Sequence, residues 1–205
     1  ISNFIDRHKL KIPLIASVGW DRHQDELTID PDIYDIQSKQ WVRKPKPNGG
    51  REPSAQEAYK RFVRLLTVTQ DQTTGFVTIG IEFYSPVMAK EWVDLLVEDI
   101  NAEIKNRDVS NAEKSIKYLN EQLQRTSVAN MQTIFFELIE EQSKIIMFAN
   151  VREEYVFKTI DRAIVPEKKS KPSKALICII GTFLGGIIGV AVVFIRSVLR
   201  GGNQA

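Results

Sequence analysis

The sequence predicts an α+β protein that carries one C-terminal membrane helix. Three observations lead to this prediction. Alternating β-branched residues lie on both sides of a glycine-containing turn within residues 66–83. No proline or glycine interrupts residues 87–151, which favours long helices. An uncharged apolar run follows at residues 175–195.

The composition is that of a chain with enough apolar residues to bury a core. Of the 205 residues, 43% are hydrophobic and 26% are charged, which excludes disordered and collagen-like classes. Cys178 is the one cysteine, so the chain forms no internal disulfide. The sequence contains two histidines in addition to this cysteine, which are too few soft ligands for a structural zinc site. We therefore expect neither a metal nor a cofactor.

The charge is distributed unevenly along the chain. The formal net charge is +2, but six basic residues and one acidic residue follow position 165. The preceding part is mildly acidic and has no basic stripe that would neutralise phosphates. We therefore expect no nucleic-acid partner.

The first half of the chain predicts short helices, loops and one hairpin. A short helix is expected at residues 2–10, and residues 20–50 are predicted to be loop-rich. The acidic side chains there lack the spacing of a calcium-binding loop, which favours a solvated face. Ser54 and Glu57 have the spacing of a capping box that starts a helix. Strands at 66–69 and 76–83 then pair antiparallel, and a third strand at 153–165 would complete one small sheet packed with helices.

A long helical projection is predicted at about residues 86–150. Ser85 supplies an N-cap and Pro86 occupies the first turn. Apolar residues then recur at spacings of three and four, as in a coiled coil. The predicted helical seam includes Ile116, Leu119, Leu123, Met131, Phe135 and Leu138. Because this phase breaks near residue 126, an antiparallel hairpin is predicted, and one continuous rod with a phase slip is the alternative.

Residues 175–195 predict a transmembrane helix. This run of 21 uncharged residues would be roughly 32 Å long as a helix, close to the thickness of a bilayer's hydrocarbon core. A buried helix of a soluble protein is the alternative, although such helices are rarely this long and uncharged. Gly181, Gly185 and Gly189 recur every four residues and predict a face for close helix packing; incidental glycine is the alternative there.

The residues on either side of this span predict a connector and a tail. Residues 166–174 contain Pro166, Pro172 and four lysines, which is typical of a stiff connector entering the headgroup region. Residues 196–205 would form a short cytoplasmic tail. The positive-inside rule, applied to the basic residues on either side of this span, places the large N-terminal part in the cytoplasm. An earlier span, where one exists, determines the orientation instead. Since the chain begins with Ile1, we expect such a span upstream.

No motif in the sequence predicts catalysis. The glycine loops that bind phosphates, the nucleophile elbow and the zinc-binding H-E-x-x-H motif are all absent from the sequence. Glu137, Glu140 and Glu141 lie on the exposed side of a predicted helix and favour solubility. We expect a membrane scaffold that is not an enzyme and has no catalytic, cofactor-binding or metal-binding residues.

Several segments resemble the Wzz chain-length determinant family, the polysaccharide co-polymerases of Gram-negative inner membranes. The most characteristic stretch is EYVFKTID at residues 154–161, which continues through Ala163, Val165, Pro166 and Pro172. Segments similar to the family's helices are Ser85-Pro86, Ala89-Lys90, Trp92-Val93, Ile116-Lys117-Tyr118-Leu119 with Gln122, and Leu138-Ile139-Glu140 with Gln142 and Ala149. The similarity covers about residues 1–198.

This resemblance implies a fold, a location and a function. Residues 1–165 would form a periplasmic domain held in the bacterial inner membrane by two helices, with both termini cytoplasmic. Copies would assemble into a homo-oligomeric ring that sets the modal length of O-antigen through the Wzy polymerase and its lipid-linked glycan, without catalysis. Pro166 and Pro172 would map to the proline-rich connector, and Gly181, Gly185 and Gly189 to the second span. The family's first span is missing here, and residues 168–171 make the connector less proline-dense than is usual in the family.

Two other functions remain open at the level of sequence. The closer one is a co-polymerase for capsule or exopolysaccharide export that works with a separate tyrosine kinase, because no kinase motif follows the span in this chain. The more distant one is a single-pass membrane sensor or adaptor.

Overall fold

Short helices, small sheets and two long helices follow one another along the chain. A computed structural model describes residues 1–45, 49–166 and 178–189. The elements are α1 (Ser2–Arg7), α2 (Lys11–Ala16), β1 (Ser17–Asp21), β2 (Glu26–Ile29), β3 (Tyr34–Asp35), β4 (Gln40–Trp41), α3 (Ala55–Leu65), β5 (Leu66–Gln70), β6 (Val77–Ile81), α4 (Pro86–Arg125) and α5 (Ala129–Val151). All of these lie in a compact unit at residues 1–165, and a second unit follows from Pro166. The protein is therefore α+β, with small antiparallel sheets and long helices.

The core lies where α1, α2, α3 and the first turns of α4 meet. Its largest side chains are Phe62 and Trp92, which are almost fully buried. The ring of Phe62 lies 5.5 Å from Phe4 and 6.3 Å from Trp92, and Phe83 approaches Trp92 at 4.4 Å. Ile5 of α1 and Leu14 of α2 complete this contact between four helices. The long helix α4 is thus anchored to the rest of the unit by its N-terminal turns.

The strands form three separate two-stranded sheets, whereas the sequence predicted one small sheet. The antiparallel pairs are β1 with β2, β3 with β4, and β5 with β6. The end of β1 and all of β2, β3 and β4 lie within residues 20–50, which were predicted to be loop-rich, so short strands interrupt a region in which no strand was predicted. The β5–β6 hairpin was predicted, and its turn has Gly75 at φ +73°, a conformation that glycine adopts without strain.

Two predicted helix starts are found with the predicted caps. The Ser54 hydroxyl accepts a hydrogen bond from the Glu57 amide at 3.2 Å and begins α3. The Ser85 hydroxyl does the same for the Met88 amide, also at 3.2 Å, and Pro86 follows in the first turn of α4. Each cap satisfies an amide that has no partner within its helix.

The third strand predicted at residues 153–165 is not found. Residues 152–166 contain no strand, and no sheet closes on this segment. Its backbone is instead held by a side chain: Asn101 Oδ1 accepts hydrogen bonds from the amides of Val156 and Phe157, each at 2.9 Å. The alternating pattern is real, but its partner is α4 and not a neighbouring strand.

The predicted membrane span falls only partly within the described residues. Residues 178–189 are helical, whereas residues 175–177 and 190–195 lie outside the described part. Among the described residues, no helix combines the length and the apolar character needed to cross a bilayer.

Candidate interaction surface on the helical hairpin

The two long helices pack against each other as an antiparallel hairpin. Helix α4 ends at Arg125 and α5 begins at Ala129, so the bend occupies residues 126–128. The Gln132 side chain donates a hydrogen bond to the Thr126 carbonyl at 2.9 Å and ties the bend to the first turn of α5. One groove is lined by residues of both helices: Lys114, Ser115, Tyr118 and Leu119 of α4 and Leu138 and Gln142 of α5. The structure therefore has the hairpin arrangement and not the continuous rod.

The inner face of the hairpin follows the predicted seam on α4 and departs from it on α5. Ile116, Leu119 and Leu123 of α4 are half-buried, as is Phe135 of α5. Met131 and Leu138 are 42% and 38% exposed, so the seam prediction differs from the structure at these two positions. The half-buried positions on the same stretch of α5 are Gln132, Phe135, Ile139 and Gln142. Because α5 is apolar on more than one face, its spacing alone did not select the face that meets α4.

This second apolar face of α5 forms an exposed row that we call the hairpin stripe. It consists of Met131, Ile134, Leu138 and Phe148, of which Ile134 is 48% and Phe148 is 44% exposed. Spacings of three and four residues place Met131, Ile134 and Leu138 on one side of the helix, and Phe148 lies ten residues beyond Leu138, about 80° around the helix from it. Exposed apolar side chains grouped like Met131, Ile134 and Leu138 are typical of interaction surfaces.

A groove of about 420 Å³ adjoins the hairpin stripe. Leu138 belongs to both features, and the other residues that line the groove are Lys114, Ser115, Tyr118, Leu119 and Gln142. Tyr118 is 61% exposed, so its ring is available to a partner. The stripe and the groove therefore adjoin each other at Leu138. Sequence reasoning did not single out Ile134 or Phe148, although the apolar residues on several faces of α5 were a signal for them.

The opposite side of α5 carries charged residues beside Phe136 and Met147, which are 59% and 50% exposed. Lys144 Nζ lies 2.7 Å from Glu140 Oε1 in an exposed ion pair one helical turn apart. The hydrogen bond to Lys144 lowers the pKa of the Glu140 carboxyl, and the same bond raises the pKa of Lys144. An exposed pair of this kind contributes little to stability and keeps this face in solvent.

The glycines and prolines named by the sequence lie beyond α5. Gly181, Gly185 and Gly189 lie in the helical residues 178–189, and a Cβ built on any of them meets no atom within 4 Å. The helix-packing role of this face stays a prediction. Pro166 lies outside regular secondary structure, and Pro172 lies outside the described residues.

Within residues 1–45, 49–166 and 178–189, no three or more His, Cys, Asp or Glu side chains converge as a metal site requires. The surface features that stand out in this part of the chain are therefore the hairpin stripe and the groove.

Comparison with known proteins gives one family match, and it covers this surface. Residues 115–198 match the model of the GNVR domain, described as the "G-rich domain on putative tyrosine kinase". The chain is thus similar to the GNVR domain over residues 115–198. The GNVR domain is associated with polysaccharide co-polymerases, so the predicted resemblance to the Wzz-like family is confirmed, with no specific member of it singled out. No curated protein matches the chain.

The GNVR domain contains most of the features described above. It includes the last turns of α4, all of α5, the segment held by Asn101 and the helical residues 178–189. The hairpin stripe lies entirely within it. The GNVR domain indicates a polysaccharide co-polymerase or chain-length role for the protein.

Proposed function

We propose that this protein is a non-catalytic scaffold that regulates the chain length of O-antigen in lipopolysaccharide. It acts in the bacterial inner membrane with a Wzy-type polymerase and its lipid-linked glycan. The GNVR match over residues 115–198 carries this proposal, because that domain indicates a chain-length role. The absence of a catalytic motif from the sequence supports a scaffold over an enzyme.

The hairpin stripe supports a scaffold made of several copies. Copies that lie side by side would cover Met131, Ile134, Leu138 and Phe148, which the single chain leaves exposed. Burial of one such half-exposed side chain contributes about 1 kcal/mol to association. Several copies would then present repeated surfaces to a growing glycan or to its polymerase.

The uncharged run at residues 175–195 supports a membrane anchor, with residues 1–165 in the periplasm. Membranes washed with alkaline carbonate and then extracted with mild detergent test this part of the proposal. We expect the full-length protein to stay with the lipid until detergent is added. Release by carbonate alone would overturn the anchor.

Deletion of the gene tests the function directly. Lipopolysaccharide from the deletion strain, separated on a gel, is expected to lose its preferred ladder length while polymer is still made, and the wild-type gene is expected to restore that length. Complete loss of polymer would point to synthesis or export instead. An unchanged ladder would contradict a role in O-antigen length.

A second candidate function is supported by the description of the matched family. That description places the domain on a putative tyrosine kinase, which favours a co-polymerase for capsule or exopolysaccharide with a separate kinase. In that case the deletion would change capsule amount or length and leave the lipopolysaccharide ladder intact. Measurement of both polymers in the same deletion strain separates the two candidates.

A further inference from the structure

Residues 155–157 lie against α4 as an irregular segment with a bend at Tyr155 and Val156. Tyr155 and Phe157 are half-buried, whereas Val156 between them is exposed. Backbone amides and carbonyls that are covered need partners, which in a sheet a neighbouring strand supplies.

The Asn101 side chain takes the place of that neighbouring strand. Its Oδ1 accepts hydrogen bonds from the amides of Val156 and Phe157 at 2.9 Å, and its Nδ2 donates to the Phe157 carbonyl at 3.1 Å. One primary amide thus uses both its donor and its acceptor on the backbone of a segment 56 positions away.

A second contact lies two helical turns further along α4. The Tyr155 hydroxyl donates a hydrogen bond to Asp108 Oδ2 at 3.2 Å. Asn101 and Asp108 are seven residues apart, so they lie on the same face of the helix. We call these two contacts the bracket. The bracket holds the chain against the hairpin just before it continues towards Pro166.

We propose that Asn101 is a positioning residue that, with Asp108, fixes where residues 155–157 lie against α4 and so where the chain leaves the hairpin. The inference rests on the proposed function: a scaffold that limits a polymer by its geometry requires the segment that returns from the hairpin to keep its place on α4. The core around Trp92 does not include residues 155–157, so we expect loss of the bracket to change the position of this segment more than the stability of the whole unit.

Hydrogen exchange in the full-length protein tests whether the bracket exists. Asn101→Leu keeps the approximate size of the side chain and removes all three hydrogen bonds. Asn101→Asp keeps an acceptor for the amides of Val156 and Phe157 but loses the donor to the Phe157 carbonyl. We expect exchange in a peptide covering residues 152–160 to become faster by about tenfold for Asn101→Leu, with Asn101→Asp intermediate. The matched control is Asn106→Leu, at an exposed position of the same helix. Equal exchange in all three variants would overturn the bracket.

The polymer ladder tests whether the bracket positions the hairpin. Each variant is expressed in the deletion strain at the wild-type protein level and with the wild-type oligomer size. We expect Asn101→Leu to shift or broaden the preferred length, Asn101→Asp to do so less, and Asn106→Leu to match the wild type. If Asn101→Leu does not accumulate, Asn101→Asp carries the comparison with the control.

The two measurements separate failure of this inference from failure of the proposed function. Faster exchange with an unchanged preferred length would overturn the positioning role, while restoration of the ladder by the wild-type gene would still support the function. If the wild-type gene imposed no preferred length, the proposed function and the positioning role that rests on it would fail together. The bracket would then stand only as a structural contact.

Discussion

At the scale of single residues, aspartate side chains shape the turns of the first half of the chain. Asp21, Asp30, Asp35 and Asp71 each accept a hydrogen bond from the amide two residues further on, at 2.7 to 2.9 Å. Such bonds stabilise tight turns. They lower the pKa of Asp71, most through the Thr73 amide, so the support that this carboxylate gives its turn is lost as the pH falls. Asp21, Asp30 and Asp35, which were weighed as calcium ligands from the sequence, therefore have a local structural role.

Tyr155 gives a pH-dependent prediction at this scale. Burial, followed by the nearby charge of Asp108 and the hydrogen bond to it, raises the pKa of the Tyr155 hydroxyl above its ordinary value. The folded state therefore holds this proton more tightly than the unfolded state, and its contribution to stability is lost as the pH rises through the folded pKa. We expect Tyr155→Phe to be less stable than the wild type near neutral pH and the difference to shrink above about pH 10.

Thermal denaturation of the wild type and Tyr155→Phe between about pH 8 and pH 11 measures this difference. Tyr118→Phe is the matched control, because the Tyr118 side chain is 61% exposed. A constant difference between the wild type and Tyr155→Phe over this range would show that the hydroxyl does not titrate as the structure indicates.

At the scale of elements, the helical hairpin makes one prediction about association. Ile134→Asp places a charge in the hairpin stripe, where Ile134 is half-exposed and makes no part of the core. We expect the folded subunit to persist and the dissociation constant of the oligomer to rise by about tenfold or more. Native mass measurements of full-length protein in mild detergent test this.

The control for the hairpin stripe lies one residue away. Thr133→Asp adds the same charge at an exposed position, pointing about 100° around the helix from Ile134. We expect it to leave the oligomer intact. Equal effects of both variants would assign the loss to charge alone and exclude the stripe as the contact. A wild-type protein that is monomeric in mild detergent would contradict the scaffold of several copies.

The elements also show which parts of the fold follow from sequence alone. The caps at Ser54 and Ser85 were predictable because a hydroxyl and its amide partner lie three residues apart. The first two hairpins were missed because Asp25 and Lys39, and not glycine, take the left-handed backbone conformation near their turns. The third strand was wrongly predicted because its partner, Asn101, lies far away in the sequence and an isolated asparagine in a helix gives no signal.

The candidate surface, like the fold, could be predicted only in part from the sequence. The spacing of apolar residues indicated two helices with a bend, since that information lies along the chain. It did not separate the face of α5 that meets α4 from the face that carries Ile134, because both are apolar. That choice depends on how the two helices approach each other in three dimensions.

At the scale of the whole molecule, one core holds the long helices to the rest of the first unit. The buried side chains Phe4, Leu14, Phe62 and Trp92 come from α1, α2, α3 and α4 respectively. Most of α4 and α5 extends beyond this core, with Ala112 and Ala149 as their fully buried contacts. The position of the hairpin therefore depends on a small number of side chains at the start of α4.

Trp92 gives the prediction at this scale. Truncation of a fully buried tryptophan removes its packing and leaves a cavity, so we expect Trp92→Ala to lower the free energy of unfolding by about 3–5 kcal/mol. Urea denaturation followed by circular dichroism measures the loss, and the exposed Tyr118→Ala is the control, with an expected change within about 0.5 kcal/mol. Similar midpoints for the two variants would contradict the packing described for Trp92.

A hairpin with a three-residue bend can be resized without touching its base. Deletion of residues 119–125 and 129–135 would shorten α4 and α5 by two turns each, or about 10 Å. The hydrogen bonds between Asn101 and Phe157 and the packing around Trp92 would be unchanged. Shortened and extended variants would form a series in which the length of the hairpin is known. If the preferred number of repeat units changes with the length of the hairpin, the hairpin sets polymer length by its own dimensions; if it does not change, polymer length is set in another way.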